Sequence, residues 1–216
     1  PMIRALLWDS DGVLVDSETV FFEFSRAAFA SAGVNLSAGL WARQYLGEGL
    51  RTNDIAERLG IPRGRADEIV RARNEAFGRR LLEPFDARPG AADLLRRLKM
   101  RYRLAVVTGA PFSQFTKVHR HTGLEGLFDC VVTADETPRV KPHPDLYLRA
   151  LERLGLPATE CLAVEDSPRG LQSATAAGIR CVVLETPLTD LSACGAAAAV
   201  IRDLAELEAV LERAER

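Results

Sequence analysis

Asp9 and Asp11 stand one residue apart in LLWDSDGVLVDSE (residues 6–18), and Asp16 makes a third carboxylate within eight positions. Like charges this close repel, so the cluster weakens a folded chain unless a cation sits among them. Other groups able to do chemistry also follow short apolar runs. Thr108 closes LAVVT (104–108) and precedes Gly109, Lys141 lies in RVKPHPD (139–145), and Glu165 and Asp166 close the run CLAVE with its next residue. Carboxylate oxygens of this kind suit magnesium. A magnesium ion, a lysine and a hydroxyl around a free carboxylate would receive a phosphate dianion, which the carboxylate could attack at phosphorus. Taken singly, each residue also has an ordinary reading: a turn at Asp9–Gly12, a strand terminus at Thr108, a solvated Lys141, a helix cap at Glu165–Asp166.

The elements that must gather these groups can be read from hydrophobic runs. IRALLW (3–8), LAVVT (104–108), CVVTA (130–134), CLAVE (161–165), CVVLE (181–185) and the weaker AAAVI (197–201) are apolar on both faces, as buried parallel strands are. Helical patterns separate them: residues 89–100, 143–155 and 167–178, each opening near a proline. Alternation of this kind predicts an α/β fold with a doubly wound, Rossmann-like parallel sheet. Ligands bind at the carboxyl ends of strands in such a sheet, where the acids, Thr108 and Lys141 all fall. Residues 17–83 carry no strand-like run. Ser17 is expected to cap a long helix ending at Gly33, with further helices near 37–46, 52–59 and 65–80. The expected organisation is a catalytic core of residues 1–16 and 85–216, with an all-helical cap domain of residues 17–84 inserted.

Composition limits the function classes. The 216 residues include 47% hydrophobic and 27% charged residues, ordinary for a soluble domain. A formal net charge of −2 gives no electrostatic basis for binding nucleic acid or an anionic membrane. The longest small-apolar run, GAAAAVI, is too short to span a bilayer. No secretory signal is visible, and Cys130, Cys161, Cys181 and Cys194 have no metal-binding spacing, so reduced thiols in a cytoplasmic protein are expected, as a monomer or small homo-oligomer.

In order, DSDGVLVDSE, VVTGA, VKPHPD and VEDSPRG resemble the four motifs of the haloacid dehalogenase-like hydrolase superfamily. The nearest subgroup resembles the helical-cap phosphatases and β-phosphoglucomutases, and the likeness spans nearly the whole chain. It implies magnesium as cofactor, Asp9 as nucleophile, and Asp11 as general acid and then base. Asp9, the Asp11 carbonyl and Asp166 would hold the metal, with Glu165 binding directly or through water. Thr108 and Lys141 would hold phosphoryl oxygens, beside Gly109, and Gly12 would permit the tight turn around them. Asp11 favours phosphoryl transfer over dehalogenation, because the dehalogenases lack the second aspartate. Where the mutases place a histidine on the first cap helix, this chain has Phe21, with Phe22 beside it. Ala110 replaces a serine that some relatives carry.

These features predict a magnesium-dependent phosphatase working through an aspartyl phosphate on a small phosphorylated metabolite, a sugar or polyol phosphate. A phosphosugar mutase is the nearest alternative. A non-enzymatic phosphate switch or binding protein is the alternative of another class, which the D-x-D spacing and helical insertion disfavour. Specificity is expected in the cap. YLGEGLRTND (45–54) resembles a substrate loop, so Arg51 is a candidate for a distal phosphate or carboxylate, against a plain surface role. Phe21, Phe22, Phe24, Trp41 and Tyr45 are expected mainly in the cap core, with one or two lining the pocket. His119, His121 and His143 receive no role, and solvated positions are expected for His119 and His121.

Overall fold

The computed structural model describes residues 2–214; Pro1, Glu215 and Arg216, at the ends of the expected core, lie outside the described residues. Strand β1 (Ala5–Trp8) leads into helices α1 (Ser17–Ala30), α2 (Ala38–Trp41), α3 (Thr52–Arg58), α4 (Arg63–Arg80) and α5 (Ala91–Lys99). Strand and helix then alternate through β2 (Arg103–Val107), α6 (Phe112–His119), β3 (Cys130–Val132), α7 (Asp145–Leu154), β4 (Cys161–Glu165), α8 (Pro168–Ala176), β5 (Arg180–Leu184), β6 (Ala199–Ile201) and α9 (Leu207–Ala214). All six strands are parallel, in the order β3-β2-β1-β4-β5-β6.

This is the doubly wound α/β sheet that the apolar runs predict. Successive side chains of a strand point to opposite faces. In β1, Leu6 and Trp8 therefore pack on one side with Leu94, Leu95 and Leu98 of α5 and with Leu207 and Leu211 of α9. Ala5 and Leu7 pack on the other with Leu146, Tyr147 and Ala150 of α7 and with Leu171 and Ala174 of α8. All four β1 residues are buried.

β1 pairs with both β2 and β4, and the chain winds outward from it in both directions. The carboxyl end of β1 is therefore the point where strand order reverses, which opens a crevice in such sheets. Asp9, Thr108 and Asp166 each follow the last residue of a strand that meets there, and Glu165 is the last residue of β4.

The chain between β1 and α5 is helical apart from isolated bridges. It leaves the sheet through a turn in which Val15 bridges Asp11, and returns where Val15 bridges Ala87. The helices have their own core of Phe22, Phe29, Trp41, Ile55, Ala66 and Ile69, with Leu188 reaching in from beyond β5. The turn after α2 widens into a π-helical segment, Ala42–Gly47. It stacks Tyr45 on Trp41, with ring centroids 4.0 Å apart. Ser17 does not cap α1: Asp16 holds the N-cap position without a side-chain bond, and the Ser17 hydroxyl donates to Asp11 instead. A hydroxyl committed to a carboxylate across the turn is not free for backbone N–H groups of its own helix.

Candidate active site

The turn Asp9–Val15 brings the first two carboxylates to the crevice. Gly12 has φ +87°, and a Cβ there would lie 1.9 Å from Asp166 Oδ2, so both the backbone and the space require glycine. The Arg88 guanidinium fixes the turn by donating to the carbonyls of Gly12 at 2.5 Å and Val13 at 3.0 Å.

Lys141 lies at the centre, buried, with all three ammonium protons engaged. It reaches Asp9 Oδ1 at 2.8 Å, Glu165 Oε1 at 2.6 Å and the Val107 carbonyl at 2.8 Å. Burial alone would lower its pKa, but the carboxylates of Asp9 and Glu165 more than offset this and hold Lys141 protonated. Glu165 is fully buried, and Tyr147 also donates to its Oε1, at 2.5 Å. Among the described residues its Oε2 has no hydrogen-bond partner, and it faces Gly170, where a Cβ would sit 1.8 Å away.

Asp11 is half-buried between two hydroxyls: Ser17 donates to Oδ1 and Thr108 Oγ1 to Oδ2 at 3.3 Å. Burial raises its pKa, and the two hydroxyl bonds oppose the rise. Thr108 is itself held by the Ala110 N–H, which donates to Oγ1 at 3.0 Å. Burial, then repulsion from Asp9 and Glu165, pushes the Asp166 carboxyl well above its ordinary range.

Asp9, Glu165 and Asp166 can each offer an oxygen within 4.8 Å of the others, all three buried. With one ammonium against these three carboxylates and Asp11, the set has excess negative charge. Hard oxygen donors with uncompensated charge fit a small divalent cation such as magnesium.

A cleft of about 440 Å³ rises from these groups. Asp9, Asp11, Thr108, Gly109, Lys141 and Asp166 line its floor. Its walls include Glu18, Phe21 and Tyr45 from the first helices, Asn74 and Phe77 from α4, and Gln114 and Arg169 from α6 and α8. Phe21 meets Phe77 edge-on at 4.9 Å, whereas Phe22 and Trp41 lie in the helical core. Arg51 is exposed at the N-cap of α3 and is not among the residues lining the cleft.

Several polar groups here escape a reading of motifs. The Glu18 carboxylate accepts from Trp41 Nε1 at 3.2 Å, and burial pushes its pKa up to about 7. Asn74 and Gln114 carry no local signature, and Arg169 stands inside VEDSPRG without a role read for it there; the contacts of Tyr147 with Glu165 and of Ser17 with Asp11 are seen only in the folded chain. His119 corrects an expectation, being fully buried where solvent was predicted. Its Nε2 lies 2.8 Å from Ser10 Oγ and its ring packs on Phe115, because that face of α6 turns toward β1. His121 and His143 are exposed. Cys130, Cys161, Cys181 and Cys194 are free thiols, all but Cys130 buried.

The family described as haloacid dehalogenase-like hydrolase matches residues 3–178. The protein CbbY of Rhodobacter capsulatus is 33% identical, over 87% of this chain and 87% of that protein. A phosphorylated carbohydrates phosphatase of Thermotoga maritima is 30% identical, over 82% of each. The crystal structure of a CbbY variant from Rhodobacter sphaeroides in complex with xylulose-(1,5)bisphosphate superposes with TM-score 0.75 at 29% identity, covering 97% of this chain and 99% of that one. With a doubly wound sheet that brings four motifs to one crevice, and a family match over most of its length, the chain belongs to the haloacid dehalogenase-like hydrolases.

Proposed function

We propose that this enzyme is a magnesium-dependent phosphatase that transfers the phosphoryl group of a small sugar or polyol phosphate to Asp9 and then to water. The observation that carries the reading is the placement of Lys141, 2.8 Å from Asp9 and 2.6 Å from Glu165, beneath a cleft floored by Asp11, Thr108 and Asp166. The kinship with a phosphorylated carbohydrates phosphatase and with CbbY supports it.

Asp9, the Asp11 carbonyl and Asp166 would hold magnesium, whose charge offsets repulsion between the nucleophile and the phosphate. Glu165 then serves chiefly to anchor Lys141, since its Oε1 is already shared by Lys141 and Tyr147. Asp9 attacks phosphorus while Lys141, the Thr108 hydroxyl and the Gly109 backbone hold the phosphoryl oxygens. Asp11, with its proton affinity raised by burial, protonates the leaving alcohol and afterwards accepts a proton from the attacking water. The helical cap of residues 17–84 covers the cleft and limits bulk water during transfer. The free thiols support a cytoplasmic setting.

The mutase alternative requires a polar cap group to hold a sugar hydroxyl in line with phosphorus. Phe21 occupies the cleft wall at the position where the mutase motif has its histidine, so water is the acceptor. Incubation with sugar monophosphates and magnesium, followed by phosphorus NMR, should show inorganic phosphate rising in proportion to substrate lost. Interconversion of sugar phosphate isomers, with little free phosphate, would overturn the assignment.

A further inference from the structure

Lys141 is engaged by Asp9, Glu165 and the Val107 carbonyl at the floor of the cleft, and the cleft holds a second cation that the reaction centre does not use. Arg169, in the first turn of α8, lines the cleft and is half-buried. Among the described residues its guanidinium makes no hydrogen bond and no ion pair. Its near neighbours are a ring and a glycine turn. Its Cζ lies 5.8 Å from the centroid of the Tyr45 ring, and a Cβ on Gly49 would sit 3.5 Å from its Nη1. Its charge lowers the pKa of Glu18 through space without pairing with that carboxylate. Gly49 has φ +71° and belongs to the loop that resembles a substrate loop.

Several arginines of the helical insertion are matched, and none of the insertion's arginines lines the cleft. Arg26 pairs with Glu23, Arg58 with Glu48, Arg63 with Asp54, Glu57 and Asp67, and Arg65 with Glu68. Arg51, the cation of the loop itself, is exposed and outside the cleft. The free guanidinium facing the cleft beside that loop therefore comes from the core. A partly desolvated guanidinium presents a planar fork whose best partner is a carboxylate or phosphate, held by two parallel hydrogen bonds. A neutral hydroxyl satisfies one donor and leaves the charge uncompensated.

We propose that Arg169 is a second anion subsite: it binds a negatively charged group on the leaving alcohol, so that the preferred substrates are sugar phosphates bearing a further phosphate or a carboxylate. This rests on the phosphatase reading for its orientation, because the first phosphate is then the one over Asp9. Glu18 and Asn74, also on the cleft wall, are placed for hydroxyls between the two anionic ends.

The test compares the unaltered enzyme with Arg169→Ala and Arg169→Lys on four phosphomonoesters with magnesium: an aryl phosphate, a hexitol phosphate, a ketose bisphosphate and a phosphorylated sugar acid. For Arg169→Ala, kcat/KM on the doubly anionic substrates relative to the aryl phosphate should fall about 10- to 100-fold, mainly through KM, as for loss of a charge-assisted pair. Arg169→Lys should restore part of the ratio. A larger fall for the bisphosphate assigns phosphate to the subsite, and a larger fall for the sugar acid assigns carboxylate. An unchanged ratio, or an equal loss on the hexitol phosphate, overturns the proposal. Calorimetric titration of the unaltered protein and of Arg169→Ala in chelator, where turnover stops, with the bisphosphate and with the sugar acid measures the same contact, at least about 10-fold weaker binding to Arg169→Ala being expected for one of the two ligands. Equal affinity of the two proteins for both ligands overturns the subsite. Absence of phosphate release from all four esters by the unaltered protein would overturn the phosphatase reading instead.

Discussion

Ser10 Oγ and His119 Nε2 lie 2.8 Å apart, both buried, so the residue between Asp9 and Asp11 is tied to the last turn of α6. Burial lowers the His119 pKa to about 4, well below the ordinary value of 6.5. The native state therefore keeps the ring neutral, while the unfolded chain protonates it as pH falls below about 6.5. Below that pH the unfolded state binds more protons, so this contribution to stability is complete above about 6.5 and is lost as pH falls toward 4. Between pH 7.5 and 5 the loss should be about 2 kcal/mol. Asp11, Glu18, Glu165 and Asp166 have raised pKa values and act in the opposite sense. The His119 component must therefore be read as a difference. Urea unfolding of the native protein and of His119→Phe at the two pH values should show the native protein losing more stability on acidification. Parallel pH dependence would show that the ring does not titrate as described.

Magnesium should be needed for turnover and should also stabilise the folded chain, because it binds carboxylates that repel one another only in the native arrangement. At one hundred times its Kd the gain is about 2.7 kcal/mol. That corresponds to a rise in Tm of about 5–10 °C for a chain of this size. Chelation should reverse both effects, and Asp166→Asn should remove most of the Tm response. A thermal scan with and without chelator decides it, and full turnover after exhaustive chelation would rule the metal out.

Gly12→Ala should damage the site more than a surface glycine replacement would. The left-handed φ costs an ordinary residue about 1–2 kcal/mol, and the new methyl would collide with Asp166 Oδ2, which a Cβ would approach to 1.9 Å. The expected result is a lower Tm together with loss of the magnesium-induced shift. Retention of that shift would mean that Asp166 can move aside without losing the ion.

Asp9→Asn should lower kcat by several orders of magnitude, because an amide does not attack phosphorus in place of the carboxylate. Lys141 keeps Glu165 and the Val107 carbonyl, so the fold should persist. Circular dichroism and a thermal melt check the fold, and phosphate release checks the chemistry. A variant with most of its activity would exclude Asp9 as the attacking group.

Much of the site was legible in the sequence because the signals are local. An apolar run followed directly by Asp9, Thr108 or Glu165–Asp166 states both that a strand ends and what stands at its end. Both-face hydrophobicity states that the strands are parallel and buried, and parallel strands put all those ends on one edge. The absence of any strand-like run between Ser17 and Pro84 marked the helical insertion in the same way.

What remained hidden depends on rotation about helix axes and on partners distant in the chain. Ser10 and His119 are 109 positions apart, and only the packing of α6 against the sheet turns that histidine inward rather than into solvent. The same applies to Ser17, whose capping signature was sound but whose hydroxyl found a carboxylate closer at hand. Arg51 and Arg169 show the division most plainly. Both are arginines near a helix start, and sequence pattern favoured the one in the loop. Tertiary structure placed the other in the cleft, because α8 begins at the carboxyl end of β4 and must point its first turn at the crevice. Composition and motif order thus determined the family, the fold and the polar groups that the crevice gathers. The three-dimensional packing alone decided which side chains line the cleft, since a helix offers every residue a direction and only its neighbours select which directions face the crevice.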